Sequence, residues 1–143
     1  MKIILYSKTG NTFSVGKALS EKTGAHLESV RAQSDDPKIQ DPVLTEVPNP
    51  DDDHLVFGSP VHGFQLAQIM RAYLEDLPDL EGKQVDLFVT HAFPFAWMGG
   101  TVALRQMKKI ITSKGGAIGR LTCVNWSRKR EKTIQAMLEA YKA

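Results

Sequence analysis

The chain reads as an α/β protein: a three-layer α/β/α sandwich around a five-stranded parallel sheet in the order 2-1-3-4-5. Three observations predict it. Short apolar runs alternate with amphipathic helical stripes along the length. Three of the runs are continuously apolar, as strands covered on both faces must be, and two are mixed. The 143 residues suffice for one such layered domain, spanning 1–143, with a substantial core.

The first strand, Lys2–Tyr6, is built on Ile3-Ile-Leu5. Val15, Ala18 and Leu19 give the stripe of the helix that follows, and Ala25–Val30 is the second strand. Residues 31–53 break the rhythm, with Pro37, Pro42, Pro48, Pro50 and the run Asp51-Asp-Asp53. The expectation there is an extended crossover in which the helix between strands two and three is short or missing. His54–Gly58 is the third strand, and Leu66, Ile69, Met70, Tyr73, Leu74 and Leu77 follow helical spacing after it. Gln84–Thr90 is the fourth, followed by the stripe Ala103, Met107, Ile110 and Ile111. Ala117–Val124 is the fifth, and Ile134, Met137, Leu138 and Tyr141 mark the last helix. The continuous runs Ile3-Ile-Leu5, Leu55-Val-Phe57 and Leu87-Phe-Val89 put strands one, three and four inside the sheet. The mixed second and fifth strands belong at its edges, which the order 2-1-3-4-5 requires.

Composition is that of an ordinary globular protein, 42% hydrophobic and 24% charged. No apolar stretch approaches the roughly 20 residues that span a bilayer, and the N-terminus lacks a signal-peptide core. The single cysteine, Cys123, rules out an internal disulfide and fits a reducing compartment. Its strand position predicts a buried, inert thiol. These features point to a soluble, cytoplasmic protein. Net charge is +2 but unevenly spread. Residues 31–53 hold two basic and seven acidic residues, and residues 101–143 hold ten basic and two acidic. That asymmetry can steer charged partners. It is not the footprint of a nucleic-acid binder, and no nucleic-acid motif accompanies it.

Between the first strand and first helix stands Ser7-Lys-Thr-Gly-Asn-Thr12. In a parallel sheet, ligands gather where strand carboxyl ends meet helix N-termini. Backbone N–H groups there, with the positive end of the helix dipole, make a cup for a phosphate. Gly10 admits a close backbone approach, and Ser7, Thr9, Asn11 and Thr12 add side-chain donors. The same spelling also serves as an N-cap cluster with no ligand. A Walker A loop and a G-x-G-x-x-G fingerprint are both absent. The first strand ends in neither the cysteine of a thiol phosphatase nor the aspartate of a receiver domain.

Ser7-x-Thr9-Gly10-Asn11-Thr12 after an N-terminal strand resembles the [ST]-x-T-G-x-T phosphate loop of flavodoxins. Leu55-Val-Phe-Gly-Ser-Pro-Val-His-Gly-Phe64 falls where flavodoxins carry a G-[ST/C]-P loop against the flavin ring. Residues 90–100 fall where the second ring-flanking loop belongs, and Gly82-Lys83 opens the fourth strand. The resemblance covers nearly the whole chain. It implies a flavodoxin-like fold and FMN as cofactor. By the same resemblance the phosphate is held by Ser7, Lys8, Thr9, Gly10, Asn11 and Thr12. The ring then lies among Ser59, Pro60, Val61, His62, Gly63 and Phe64 on one side and Thr90, His91, Ala92, Phe95, Trp97 and Gly99 on the other.

The protein supplies position, polarity and access, and the cofactor supplies the redox chemistry. The peptide at His62-Gly63 occupies the position that flips in flavodoxins to accept a hydrogen bond from the reduced ring; the other reading is that Gly63 simply closes a turn before the helix. Flavodoxins commonly stack Trp or Tyr on the ring; this chain offers Phe64, Phe93, Phe95 and Trp97, a departure from the pattern. Neither ring loop contains Asp or Glu, so the expected potential for full reduction is less negative than in acidic flavodoxins. His62 and His91 suit a hydrogen bond to the ring edge or a proton relay. Two histidines without a third ligand do not make a metal site.

Ser127 reads as the N-cap of the last helix, placing Arg128, Lys129 and Arg130 in a first turn whose dipole they oppose. That choice suggests a dock for an acidic electron-transfer partner, a reductase or iron–sulfur protein, or for a phosphorylated nucleotide such as NADPH; the alternative is a solvated charge run with no partner. No nucleophile machinery is apparent and no catalytic residue is assigned. The expected function is a flavodoxin-like carrier shuttling electrons between redox partners. The alternatives are an FMN-dependent NAD(P)H oxidoreductase acting on a quinone or similar acceptor, and a domain that keeps the fold without FMN.

Overall fold

The computed structural model describes residues 1–92 and 99–141. Five parallel strands form the sheet: β1 (Lys2–Leu5), β2 (His26–Ser29), β5 (His54–His62), β7 (Gln84–His91) and β8 (Ala117–Asn125). Their order is β2-β1-β5-β7-β8, the order read from the sequence, with the two mixed strands at the edges. The helices are α1 (Asn11–Thr23), α2 (Gln68–Glu75), α3 (Gly100–Ser113) and α4 (Arg130–Glu139).

Strand periodicity sorts the side chains into two cores. Ile4, Tyr6, Leu55, Phe57, Leu87 and Val89 face α2 and α3, meeting Met70, Tyr73, Leu74, Ala103, Met107 and Ile111. Their neighbours Ile3, Leu5, Val56 and Phe88 face α1 and α4, meeting Val15, Leu19, Met137 and Tyr141. Each buried aliphatic or aromatic side chain contributes about 1.5–3 kcal/mol. Burial on both faces is why the central runs carry no polar alternation.

The crossover lacks a helix: none of residues 31–53 is helical. Instead β3 (Arg31–Ala32) and β4 (Leu44–Glu46) pair as an antiparallel ribbon outside the main sheet. Tyr73 anchors the returning chain by donating its hydroxyl to Pro48 O at 2.6 Å.

The third predicted strand runs further than expected. β5 continues through Ser59 and Pro60 to His62, and its tip folds back on β6 (Gln65–Leu66) through Val61↔Leu66 and His62↔Gln65. Proline is tolerated in this central strand for a geometric reason. Tyr6 N–H donates to Gly58 O at 3.1 Å, so alternation directs Pro60 N to the same side, past the end of β1, where no ladder bond is required. The connecting turn is Gly63-Phe64, with φ +58° and +65°. Two left-handed residues in a two-residue loop match the twist of a hairpin.

The start of the last helix also differs. Its N-cap is Lys129, in the left-handed conformation at φ +54°, and Ser127 stands outside the helix. Asn125 Oδ1 accepts from Ser127 N–H at 2.9 Å and Arg128 N–H at 3.1 Å. This side-chain turn holds the chain away from helical geometry for two more residues. Of the three cations, only Arg130 is in the first turn, and Glu131 beside it suits the dipole.

Candidate functional site

The carboxyl ends of β1, β5 and β7 converge on one rim, and the loop after β1 is its centre. Gly10, at φ +97°, caps α1 with no side chain of its own. Ser7 Oγ does that work, accepting from Gly10 N–H at 3.2 Å and Phe13 N–H at 3.1 Å. The backbone N–H groups of Lys8, Thr9, Asn11 and Thr12 have no acceptor among the described residues. Four unsatisfied donors at the positive end of a 13-residue helix form a donor set suited to an oxyanion.

Thr12 is turned inward. It is buried, and its Oγ1 lies 2.8 Å from Thr90 Oγ1 near the end of β7. One hydroxyl of the pair donates to the other, and the second keeps its own proton for another acceptor. The first helix is thereby pinned to the end of β7.

His62, the last residue of β5, is half-buried with its ring edge-on to Tyr6, centroids 6.1 Å apart. Burial, and then the Lys8 cation, push its pKa below the ordinary value, against the opposing pull of Asp35. The imidazole is therefore neutral at pH 7, with one ring nitrogen donating and one accepting. Tyr6 donates its hydroxyl to Asp35 Oδ1 at 3.1 Å. Burial first, and Asp35 second, hold that phenol well above its usual range.

The rest of the rim packs around the β5–β6 hairpin. Gly99 precedes α3 at φ +134°, and a Cβ there would meet Val61 Cγ1 at 2.7 Å and Phe64 Cα at 2.9 Å. Only glycine lets the start of α3 lie this close to the hairpin. His91, expected at the open rim, ends β7 with 4% of its surface exposed. Its ring packs beneath Gly100, whose Cβ position lies 3.0 Å from His91 Cδ2. Ala92 O accepts from Ser127 Oγ at 2.8 Å, tying this loop to the basic segment after β8. Phe93, Phe95 and Trp97 lie outside the described residues.

The structure thus brings together Ser7–Thr12, Ser59–Phe64, Thr90–Ala92 and Gly99. Cys123, read as buried, is half-buried beside Gly100, and burial pushes its thiol pKa up. The basic segment lies on the same rim. Arg130 stacks over Trp126 with its guanidinium carbon 4.7 Å from the ring centroid, and Arg128 and Lys129 are exposed. Among the described residues no three His, Cys, Asp or Glu converge on a metal-sized site. No described helix is long and apolar enough to cross a membrane.

One cluster escaped the sequence reading, at the opposite end of the sheet. Asp86, 1% exposed, accepts from Arg120 N–H at 2.8 Å and from the Tyr141 hydroxyl at 2.8 Å, and bonds His54 Nε2 at 2.7 Å. Its signal was a lone carboxylate inside the apolar run Val85–Val89, a position that demands partners.

No protein-family model matches the chain, and no curated protein sequence matches it. Solved structures do. The Trp repressor binding protein of Bacillus subtilis matches with a TM-score of 0.72 at 13% identity, covering 99% of this chain and 100% of that one. A flavodoxin of Streptococcus pneumonia TIGR4 gives 0.66 at 18% identity, covering 96% and 94%. Fusobacterium nucleatum flavodoxin bound to flavin mononucleotide gives 0.62 at 14% identity, covering 97% and 94%. The structural neighbours include flavodoxins, and the fold is flavodoxin-like.

Proposed function

We propose that the chain is an FMN-binding, flavodoxin-like electron-transfer protein of the cytoplasm that shuttles electrons between redox partners. The observation that carries this reading is the set of four N–H donors in the loop before α1 and its first turn, without acceptors among the described residues and flanked by the hairpin tip and the end of β7. FMN is the ligand bound by one structural neighbour of this fold. Its phosphate fits that donor set. When bound, FMN supplies one- and two-electron redox chemistry.

The chain's own residues hold, orient and shield. Lys8, Thr9, Asn11 and Thr12 would donate backbone N–H groups to the phosphate, with the Ser7 and Thr9 hydroxyls beside them. The Thr12–Thr90 pair fixes the distance between the phosphate loop and the second ring loop. Ser59–Phe64 would flank the ring on one side, with neutral His62 offering either a donor or an acceptor. Thr90 and Ala92, joined by Phe95 and Trp97, would flank it on the other; the His91 ring, packed beneath Gly100, and Gly99, packed on Val61 and Phe64, would support the site from behind. Arg128, Lys129 and Arg130 would dock an acidic reductase or iron–sulfur protein, since their loop is tied to Ala92 at the rim of the site.

Titration of apo-protein into FMN, followed by flavin fluorescence with riboflavin as control, tests the reading. Strong quenching by FMN and weak quenching by riboflavin are expected. Failure to bind either flavin removes the redox function altogether. Steady NADPH oxidation by the purified protein alone would replace the carrier with a reductase.

A further inference from the structure

A cavity of about 400 Å³ opens on the β2 side of the Ser7–Gly10 loop. It is lined by that loop together with Phe13, Arg31 and Asp35, over Tyr6 and Val30. Its size is that of a small-molecule site, and the side chains of Phe13, Arg31 and Asp35 are not among those proposed to hold FMN.

The chemistry of the lining is specific. Phe13 leaves 41% of its surface exposed, giving a flat apolar face on which a base can stack. Asp35 engages Tyr6 through Oδ1. Its other oxygen has no hydrogen-bond partner among the described residues and can accept from a pair of ribose hydroxyls. Lys8 brings a cation to the same space, and Arg31, paired with Glu46 at 3.2 Å, closes its side. In open parallel sheets that hold dinucleotides, the pyrophosphate sits on the loop after the first strand. An acidic residue or arginine further along the chain then meets the ribose. Arg31 and Asp35 follow β2, the strand beside β1, and stand in that relation to the phosphate loop.

We propose that this cavity is the adenosine pocket of a flavin dinucleotide: the loop after β1 accepts a pyrophosphate, the flavin half turns to the β5–β6 hairpin, and the adenosine half stacks on Phe13 with its ribose on Asp35. The chain then holds FAD as well as FMN. The proposal rests on the flavin reading of the same loop.

Calorimetric titration of apo-protein with FMN, FAD and ADP tests it, using wild type and Phe13→Ala. Phe13 leaves 41% of its surface exposed and belongs to neither core, so the variant is expected to fold. FAD should bind no more than about tenfold more weakly than FMN. Phe13→Ala should weaken FAD and ADP by about tenfold while FMN stays within about twofold. FMN bound with FAD excluded overturns the pocket and leaves the flavin reading standing, as does a variant that weakens FMN and FAD alike. Absence of binding by all three removes both.

Discussion

The hydroxyls of Thr12 and Thr90 meet 2.8 Å apart, 78 residues apart in sequence, in a buried contact between the start of α1 and the end of β7. A buried hydroxyl that loses its only partner costs about 1–3 kcal/mol, whereas removing both partners is nearly neutral. Thr12→Val and Thr90→Val should each destabilise the protein by about that amount, and the double variant should fall well short of their sum. Urea denaturation of the four proteins measures the coupling. Additive losses would mean that the two hydroxyls do not depend on each other.

Asp86 supplies a pH dependence. Burial pushes its carboxyl up, but hydrogen bonds from His54, the Arg120 N–H and Tyr141 outweigh that and hold it below the usual carboxylate value. The folded pKa therefore lies below the unfolded value of about 3.9. The stabilisation is full above that pH and is lost as pH falls through the folded value. Asp86→Asn should cost about 3 kcal/mol near neutrality and show a shallower loss of stability on acidification. Urea midpoints at about pH 7 and about pH 3 decide it. A variant that loses as much as wild type between the two would locate the acid sensitivity elsewhere.

Gly99 carries the close approach of α3 to the hairpin. At φ +134°, with Val61 and the Phe64 backbone inside 3 Å of a Cβ, Gly99→Ala forces both strain and displacement. The expected cost is about 1–3 kcal/mol, with FMN binding weakened more than stability alone would require. Thermal unfolding and FMN titration of the same variant separate the two. A variant that folds less well yet binds FMN unchanged would show that the hairpin position does not matter to the ring.

What the sequence disclosed follows from how its constraints are encoded. Double-sided burial erases polar alternation, so Ile3-Ile-Leu5 and Leu87-Phe-Val89 announced central strands and the mixed runs announced edges. The missing crossover helix was equally legible in four prolines. The β5–β6 hairpin was not, because Pro60 reads as a stop signal unless the strand beside it is known to have ended. Nor was the cap of α4, where Asn125 Oδ1 draws the Ser127 and Arg128 N–H groups into a turn and the Ser127 hydroxyl donates to Ala92 O. The Asp86 cluster and the Phe13 cavity depend on residues far apart in the chain. Neither His54 with Tyr141 nor Phe13 with Asp35 leaves a local spacing to read.

The loops proposed to flank the flavin ring should govern its potential. Full reduction adds negative charge; Ser59–Phe64 and Thr90–Ala92 contribute no carboxylate, and Lys8 depresses His62 against the smaller opposing pull of Asp35. Redox potentiometry of the FMN-loaded protein should give a less negative value for full reduction than acidic flavodoxins show. Ala92→Glu should shift it further negative by roughly 40 mV, the equivalent of about 1 kcal/mol for one electron. A strongly negative wild-type value, or no shift in the variant, would set the charge argument aside.

The basic segment should govern the rate of partner reduction rather than the cofactor. Arg130 packs on Trp126, so reversing its charge also disturbs local structure, whereas Arg128 and Lys129 are exposed and can be reversed without loss of packing. Long-range attraction acts on the encounter rate and is screened over about 10 Å at 0.1 M salt. Arg128→Glu with Lys129→Glu should slow reduction by an acidic partner about tenfold at low salt. Raising the ionic strength should close the gap with wild type, and FMN affinity should not change. Stopped-flow reduction across a salt series reads all three quantities. Equal rates at low salt would remove the dock. A deficit that persists at high salt would instead assign these side chains to a direct, short-range contact.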